Sequence, residues 1–405
     1  MVSAEPHARI YWIDALKAVV VVGICLFHTA LVFSPGTWIV NNPQRSVILG
    51  AFAGLTFQWG IALLFLLAGA ATWFGLRSRT ALGFAASRSV RLGVPLLVGL
   101  ALLSPLQSYI QHSRSLDLGG LPHTYLTFWT SVHATWSPSS AYDYVYHLWF
   151  LTHLLAISLL TLPVAVWLGS ARGRRLAAQV VRLVDVPGGF LLGALPIAVV
   201  QVALHPRFPQ YQDWSDLAAW AVLYLEGFVI VANERLHHAL RRSVGPALLT
   251  VIVLSVAAGI LYASGEGAAW DSQPDDSPRY LALEVARSAY TWAWVVFLLG
   301  VATRWLNADS GLARWGADRP LPFYVLSHPV VVVLAWYVVT WNAGVWLKFA
   351  VIATVSITVT LALCEVVGRY GPLRFLFGLS YVPKPRHHLE FHDVADAPIA
   401  TPGGT

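Results

Sequence analysis

Long apolar runs dominate the chain, about ten of them long enough to cross a lipid bilayer. A spanning helix needs about 20 mainly apolar residues, because each adds roughly 1.5 Å against a hydrocarbon core about 30 Å thick. The runs cover about 13–33, 50–75, 93–110, 146–168, 189–205, 214–232, 245–264, 285–305, 320–340 and 344–367. Pro95, Pro105 and Pro196 fall in or near the third and fifth, and proline is tolerated in a membrane helix when neighbours satisfy the freed carbonyl. Only 11% of residues are charged and 57% are hydrophobic. An ordinary soluble domain carries about 25% charged residues, and a soluble chain this apolar would expose wide patches to water. The expected fold is an all-α integral membrane protein, a bundle of about ten transmembrane helices.

The basic residues test that reading. With the N-terminus inside, all of the 26 Lys and Arg except Arg45, Arg114, Arg207, Arg279, Arg287 and Lys348 fall in cytoplasmic segments. Positive charge gathers on the cytoplasmic side of membrane proteins, and a missed or invented span would scramble the alternation downstream. The expectation is a multi-pass protein of the inner, cytoplasmic membrane with both termini in the cytoplasm. The short polar stretch 1–10 runs straight into an apolar segment of spanning length and reads as the start of an uncleaved first helix. Residues 1–383 read as one transmembrane domain, and 384–405, ending in Pro-Gly-Gly-Thr, as a disordered tail.

Several classes are excluded. Cys25 and Cys364 lie inside apolar runs and form no disulfide framework. No basic-aromatic run suggests nucleic acid, and no internal repeat suggests an inverted-repeat transporter. Gly-rich phosphate loops, serine elbows and Cys-x-x-Cys pairs are absent. His387, His388 and His392 belong to a polar, Pro-flanked tail and read as solvated side chains, so no metal is expected. No small-xxx-small stripe marks a dimer face. The outer loops 111–145, rich in Ser, His, Trp and Tyr, and 265–284, with Glu266, Asp271, Asp275 and Asp276, are long enough to shape an external site.

Ionisable groups inside apolar spans are costly and are functional candidates by default. The first span reads Asp14-Ala-Leu-Lys17, followed after ten residues by His28. Eleven residues are close to three helical turns, so Lys17 and His28 share a face about 16 Å apart along the axis. A snorkelling lysine and a structurally bonded histidine are the ordinary alternative. Arg88 and Arg91, spaced i and i+3 before Pro95, share a helical face and present planar forks suited to phosphate; flanking positive charge would also account for them. His147-Leu-Trp149-Phe-Leu begins the fourth span, where Trp149 could be only an interfacial belt residue. Tyr324-Val-Leu-Ser-His328-Pro329 puts another imidazole in the ninth span, and Glu226 lies in the sixth.

Taken in order, these segments resemble the acyltransferase 3 family of integral membrane O-acyltransferases. Lys17-x10-His28 resembles the family's basic-x10-His motif, with Lys where Arg is commoner. Phe57 to Gly69, with its Phe-Leu-Leu-Ala-Gly stretch, resembles the second helix, and Arg88-x-x-Arg91 with Pro95 the Arg-x-x-Arg start of the third. His147-Leu-Trp-Phe-Leu and Tyr324-x-x-x-His328-Pro329 complete the set and are similar to the glucan biosynthesis protein C branch, whose members succinylate periplasmic glucans. No counterpart is expected of the soluble hydrolase-like domain that some members carry.

The resemblance implies an acyl-CoA co-substrate reached from the cytoplasm, no permanently bound cofactor, and a hydroxyl acceptor on an extracytoplasmic carbohydrate or glycolipid. Lys17, Arg88 and Arg91 would hold the CoA phosphates. His28 would act as general base or as an acyl-carrying relay, with His147 and His328 near the acceptor or the oxyanion. Asp14, Trp149, Glu226 and Tyr324 would contact substrate. The same intramembrane histidines would also serve a transporter or flippase of a polyprenyl-linked solute as proton relays, and a scaffold in envelope assembly would need none of them.

Overall fold

The computed structural model describes residues 10–115, 129, 145–184 and 188–379. Helices run through them in series: α1 (Tyr11–Leu31), α2 (Val47–Arg77), α3 (Ala81–Leu102), α4 (Ser104–Ser115), α5 (Trp149–Leu160), α6 (Leu162–Gly169), α7 (Ala171–Val184) and α8 (Ala194–Leu204). There follow α9 (Trp214–Val231), α10 (Glu234–Ala263), α11 (Glu266–Asp271), α12 (Pro278–Trp305), α13 (Gly311–Asp318), α14 (Pro320–Val338), α15 (Val345–Arg369) and α16 (Gly371–Leu376). No strand occurs among the described residues. The expected tail 384–405 and most of the 111–145 loop lie outside them.

Eight helical segments are long and apolar enough to span: α1, α2, α3 together with α4, α9, α10, α12, α14 and α15. The expected fourth span is a helix pair, α5 and α6, bent by 50° at Thr161, and counts as a ninth if taken as one crossing. The expected fifth, Gly189–Leu204, is a shorter apolar helix opened by a 3₁₀ turn. Several helices begin before their apolar cores, because polar side chains cap them. Thr80 accepts from the Gly83 amide and starts α3 a full turn and more before Arg88. Asn233 accepts from the Arg235 amide and starts α10 eleven residues ahead of the expected Gly245.

The bundle is built around α1, which packs against α2, α13, α14 and α15. Helices α2 and α9 touch backbone to backbone: a Cβ on Gly69 would lie 1.7 Å from the Tyr224 carbonyl oxygen, and one on Gly227 1.9 Å from that of Leu66. Small residues let membrane helices approach this closely. By contrast α10 leaves Leu249, Ile252, Val253, Val256 and Ile260 exposed, the apolar face expected where a helix meets lipid.

One connecting segment is fixed by an internal cation. The segment joining α1 to α2 folds back through Asn42 N–H to Val32 O, 2.8 Å, and Ser46 N–H to Phe33 O, 2.8 Å. Lys348 of α15, only 5% exposed, donates to Asn42 Oδ1 at 3.1 Å and to Val339 O at 2.9 Å. A buried ammonium needs such partners, and here its partners fix a loop.

Candidate active site

At the C-terminal end of α1, the helices part around a cavity of about 510 Å³. Three imidazoles from three helical elements meet in its wall. His28 comes from the last turn of α1, His328 from the middle of α14, and His147 from the 3₁₀ turn Tyr146–Leu148 that opens α5. The His328 ring lies between the other two. It meets His28 edge to face, with centroids 4.4 Å apart and planes at 84°. It stacks on His147 with centroids 4.4 Å apart and planes at 8°. The Nδ1 atom of each ring is buried and has no hydrogen-bond partner among the described residues. No grouping of His, Cys, Asp or Glu among the described residues is arranged to hold a metal ion.

The orientation of His147 follows from a proline. Pro329 has no N–H, so within α14 it leaves the carbonyl four residues earlier, that of Val325, without its helical donor. His147 Nε2 lies 3.0 Å from that oxygen. A carbonyl only accepts, so Nε2 carries the proton, and the neutral ring keeps its lone pair on Nδ1. The Tyr324 hydroxyl in turn donates to the His147 carbonyl. His-Pro and His-Leu-Trp-Phe-Leu, separate in sequence, thus form one clamp.

Around the histidines the wall is aromatic, with a few amides. Trp38 stands against both His28 and His328, at centroid distances of 6.3 and 5.4 Å. Trp149 and Tyr211 meet at 5.3 Å, and Tyr146 donates to Gln111 Oε1 at 2.9 Å. Two non-glycine residues among those described have positive φ, Tyr146 at 44° and Gln212 at 68°, and both line this cavity. Backbone held in a sparsely populated conformation tends to cluster at functional sites. Gln212 is held there by its amide, which donates to Asp216 Oδ2 at 2.9 Å.

Of the sequence candidates, His28, His147, His328, Trp149 and Tyr324 line the cavity. Asp14 and Lys17 do not; they form an ion pair of 2.8 Å at the other end of α1. Arg88 turns toward α5, donating from Nε to Ser158 Oγ at 3.2 Å, while its Nη2 is buried without a partner. Arg91, one turn on, is exposed. Glu226 lies within α9 with Oε2 buried and unpartnered, and it is not in the cavity wall. In the 265–284 loop, Asp271 pairs with Arg287 at 2.7 Å, and Arg287 also holds Glu284 at 2.8 Å; neither carboxylate faces the cavity.

Trp38, Tyr146, Gln111, Tyr211, Gln212 and the Lys348 anchor escaped the sequence reading. Aromatic residues near span ends read as belt residues, and Lys348 read as an outer charge. Nothing local in sequence distinguishes a lysine in water from one folded back onto a loop.

A family model described as an acyltransferase domain matches residues 10–365. Curated relatives include the Glucans biosynthesis protein C of Salmonella paratyphi B and that of Salmonella dublin. Each is 22% identical over 388 residues, covering 93% of this chain and 96% of the relative. That of Salmonella paratyphi A matches to the same extent. No solved structure matches. With the family match running over nearly the whole helical bundle, the chain belongs to the acyltransferase 3 family and is a multi-pass membrane acyltransferase.

Proposed function

We propose that this protein moves an acyl group from cytoplasmic acyl-CoA to a hydroxyl of an extracytoplasmic carbohydrate or glycoconjugate. It would do so across the inner membrane with both termini in the cytoplasm. The observation that carries the proposal is the meeting of His28, His147 and His328 in one aromatic-walled cavity inside the bundle. Aromatic walls with a few amides suit a sugar, whose C–H faces lie on rings and whose hydroxyls need directed partners. Trp149, Tyr211 and Gln212 would take that role. Residues 1–383 would act as the catalytic unit, and the relatives' name makes a glucan the first acceptor to try.

In the transfer, neutral His28 takes the proton of the acceptor hydroxyl as its oxygen attacks the thioester carbonyl carbon. The C–S bond then breaks, and the CoA thiolate leaves with the proton that the imidazolium returns. Such a base is worth about 10²–10⁴ in rate. With its Nε2 proton committed to Val325, neutral His147 offers its Nδ1 lone pair and suits the role of acceptor or second base better than that of oxyanion donor. His328, between them, would steady both rings. Arg88, with an unpartnered Nη2, and exposed Arg91 are the favoured cations for the CoA phosphates. Lys17 is the weaker candidate because Asp14 already neutralises it.

The cavity wall includes no Lys or Arg among the described residues. A carboxylate on the acyl group, as in succinyl, would find no fixed cation there, whereas an acetyl group needs none.

The test is release of CoA thiol by purified protein in lipid nanodiscs, with envelope glucan as acceptor, comparing wild type with His28→Ala. We expect release that depends on His28 while the variant stays folded. Transfer retained by the variant would remove His28 from the chemistry. Transport of a solute without any acyl-CoA requirement would overturn the acyltransfer reading of this site.

A further inference from the structure

A second polar feature lies at the opposite end of the bundle, away from the histidines. Arg77 ends α2 and Arg174 opens α7. Trp73, next to Arg77, meets Phe228 edge to face at 5.1 Å, and Phe228 lines a cavity together with Arg174. In each arginine, Nη1 is buried and has no hydrogen-bond partner among the described residues. Arg77 lies with its guanidinium carbon 5.2 Å from the Trp73 ring centroid, which orients the fork without satisfying its donors. Buried guanidinium donors left unpartnered are destabilising unless an acceptor of opposite charge reaches them.

The space for that partner exists. Arg174 lines a small cavity of about 80 Å³ with Leu168, Phe228, Val229 and Asn233. Asn233 uses its side-chain oxygen to cap α10, which leaves its amide nitrogen free to donate. No carboxylate among the described residues lines the cavity. Two donor side chains, Arg174 and Asn233, set among apolar ones suit an amphiphile with an anionic head. Helix α7 also carries Arg172, Arg175 and Arg182 with exposed Leu176 and Val180, the pattern of a basic helix lying in a membrane interface.

We propose that Arg77, Arg174 and Asn233 form a binding site for a phosphate ester at the membrane surface, separate from the histidine cavity. Arginine forks bind phosphate with two parallel bonds. An anionic phospholipid headgroup and a soluble phosphate share that chemistry, and the experiment has an arm for each.

The protein is purified in maltoside detergent, which carries no phosphate, and its thermal unfolding midpoint is followed in two titrations. One uses phosphatidylglycerol in mixed micelles, the other inorganic phosphate and adenosine 3′,5′-bisphosphate. A ligand that binds only the folded protein raises the midpoint. We expect a rise in one arm, which names the source, lost in Arg174→Gln and in Arg77→Gln, and reduced in Arg174→Lys, which keeps charge but loses the fork. Arg172→Gln with Arg175→Gln on the same helix should keep the rise, since these side chains are exposed and remain outside the cavity. If Arg77→Gln fails to fold, the three α7 variants decide. No rise in either arm, or a rise that survives Arg174→Gln, or one lost equally in the Arg172/Arg175 control, overturns the site.

Discussion

His147 donates from Nε2 to the carbonyl oxygen of Val325 at 3.0 Å. That oxygen is available because position 329, four residues on, is proline. A break in one helix therefore sets the tautomer of a histidine on another. Pro329→Ala would supply an amide that competes for the Val325 carbonyl and releases the His147 ring. Misplacing a reacting group by about 1 Å can cost up to about 10²-fold. We expect the variant to fold and to lose about ten- to hundredfold in kcat, with the donor KM unchanged. Steady-state kinetics in nanodiscs measure this, and a wild-type kcat would show that the clamp does not position His147.

The loop carrying Trp38 hangs on Lys348. Replacement by Met keeps the apolar stem but strands Asn42 Oδ1 and Val339 O, which now accept from the ammonium. Leaving buried acceptors unpaired costs about 1–3 kcal/mol. Trp38 stands beside His28 and His328, so Lys348→Met should lower the unfolding midpoint and also raise the acceptor KM while sparing that of the donor. A variant less stable but kinetically normal would make Lys348 purely structural.

How much of this was readable in advance depends on the range of each signal. The spans were legible because apolar length is a local property, and α1, α2 and α9 lie close to their expected bounds. The bent α5–α6 pair and the short helix Gly189–Leu204 were not, since hydropathy cannot report a 50° bend. The three histidines were legible because an imidazole inside an apolar run stands out, yet their mutual contact was not, being separated by more than a hundred residues in chain order. Gln212 and Tyr146 were invisible because backbone strain leaves no compositional mark. Arg77 and Arg174 read as ordinary flanking charge because the sequence assigns them to the same side as most of the other arginines.

Arg88 engages Ser158 through Nε and keeps Nη2 unpartnered, so its fork is aimed but unfilled. If it receives a phosphate of the donor, Arg88→Ala should raise the apparent acyl-CoA KM by roughly tenfold or more, since hydrogen bonds to charged groups contribute about 1.5–3 kcal/mol. The kcat at saturating donor should stay near wild type. Ser158→Ala removes only the orienting contact and should have the smaller effect. A donor KM unaffected by Arg88→Ala would remove this arginine from CoA binding.

Donor choice tests the cavity itself. Its wall is built from imidazoles, indoles, phenols, phenyl rings, amides, the hydroxyls of Thr37 and Thr56 and aliphatic side chains, with no Lys or Arg among the described residues. A succinyl group would bring its free carboxylate to this wall, and burying an unpaired charge is costly. The CoA portion is common to both donors, so a difference between them reports the acyl pocket alone. We expect acetyl-CoA to be used with at least tenfold higher kcat/KM than succinyl-CoA in direct competition, a gap of about 1.4 kcal/mol. Introducing a cation at the wall, as in Thr56→Lys or Gln111→Arg, should narrow or invert that preference. A wild-type preference for succinyl-CoA would mean that the acyl carboxylate is met by a group outside this wall, and the reading of the pocket as neutral would fall.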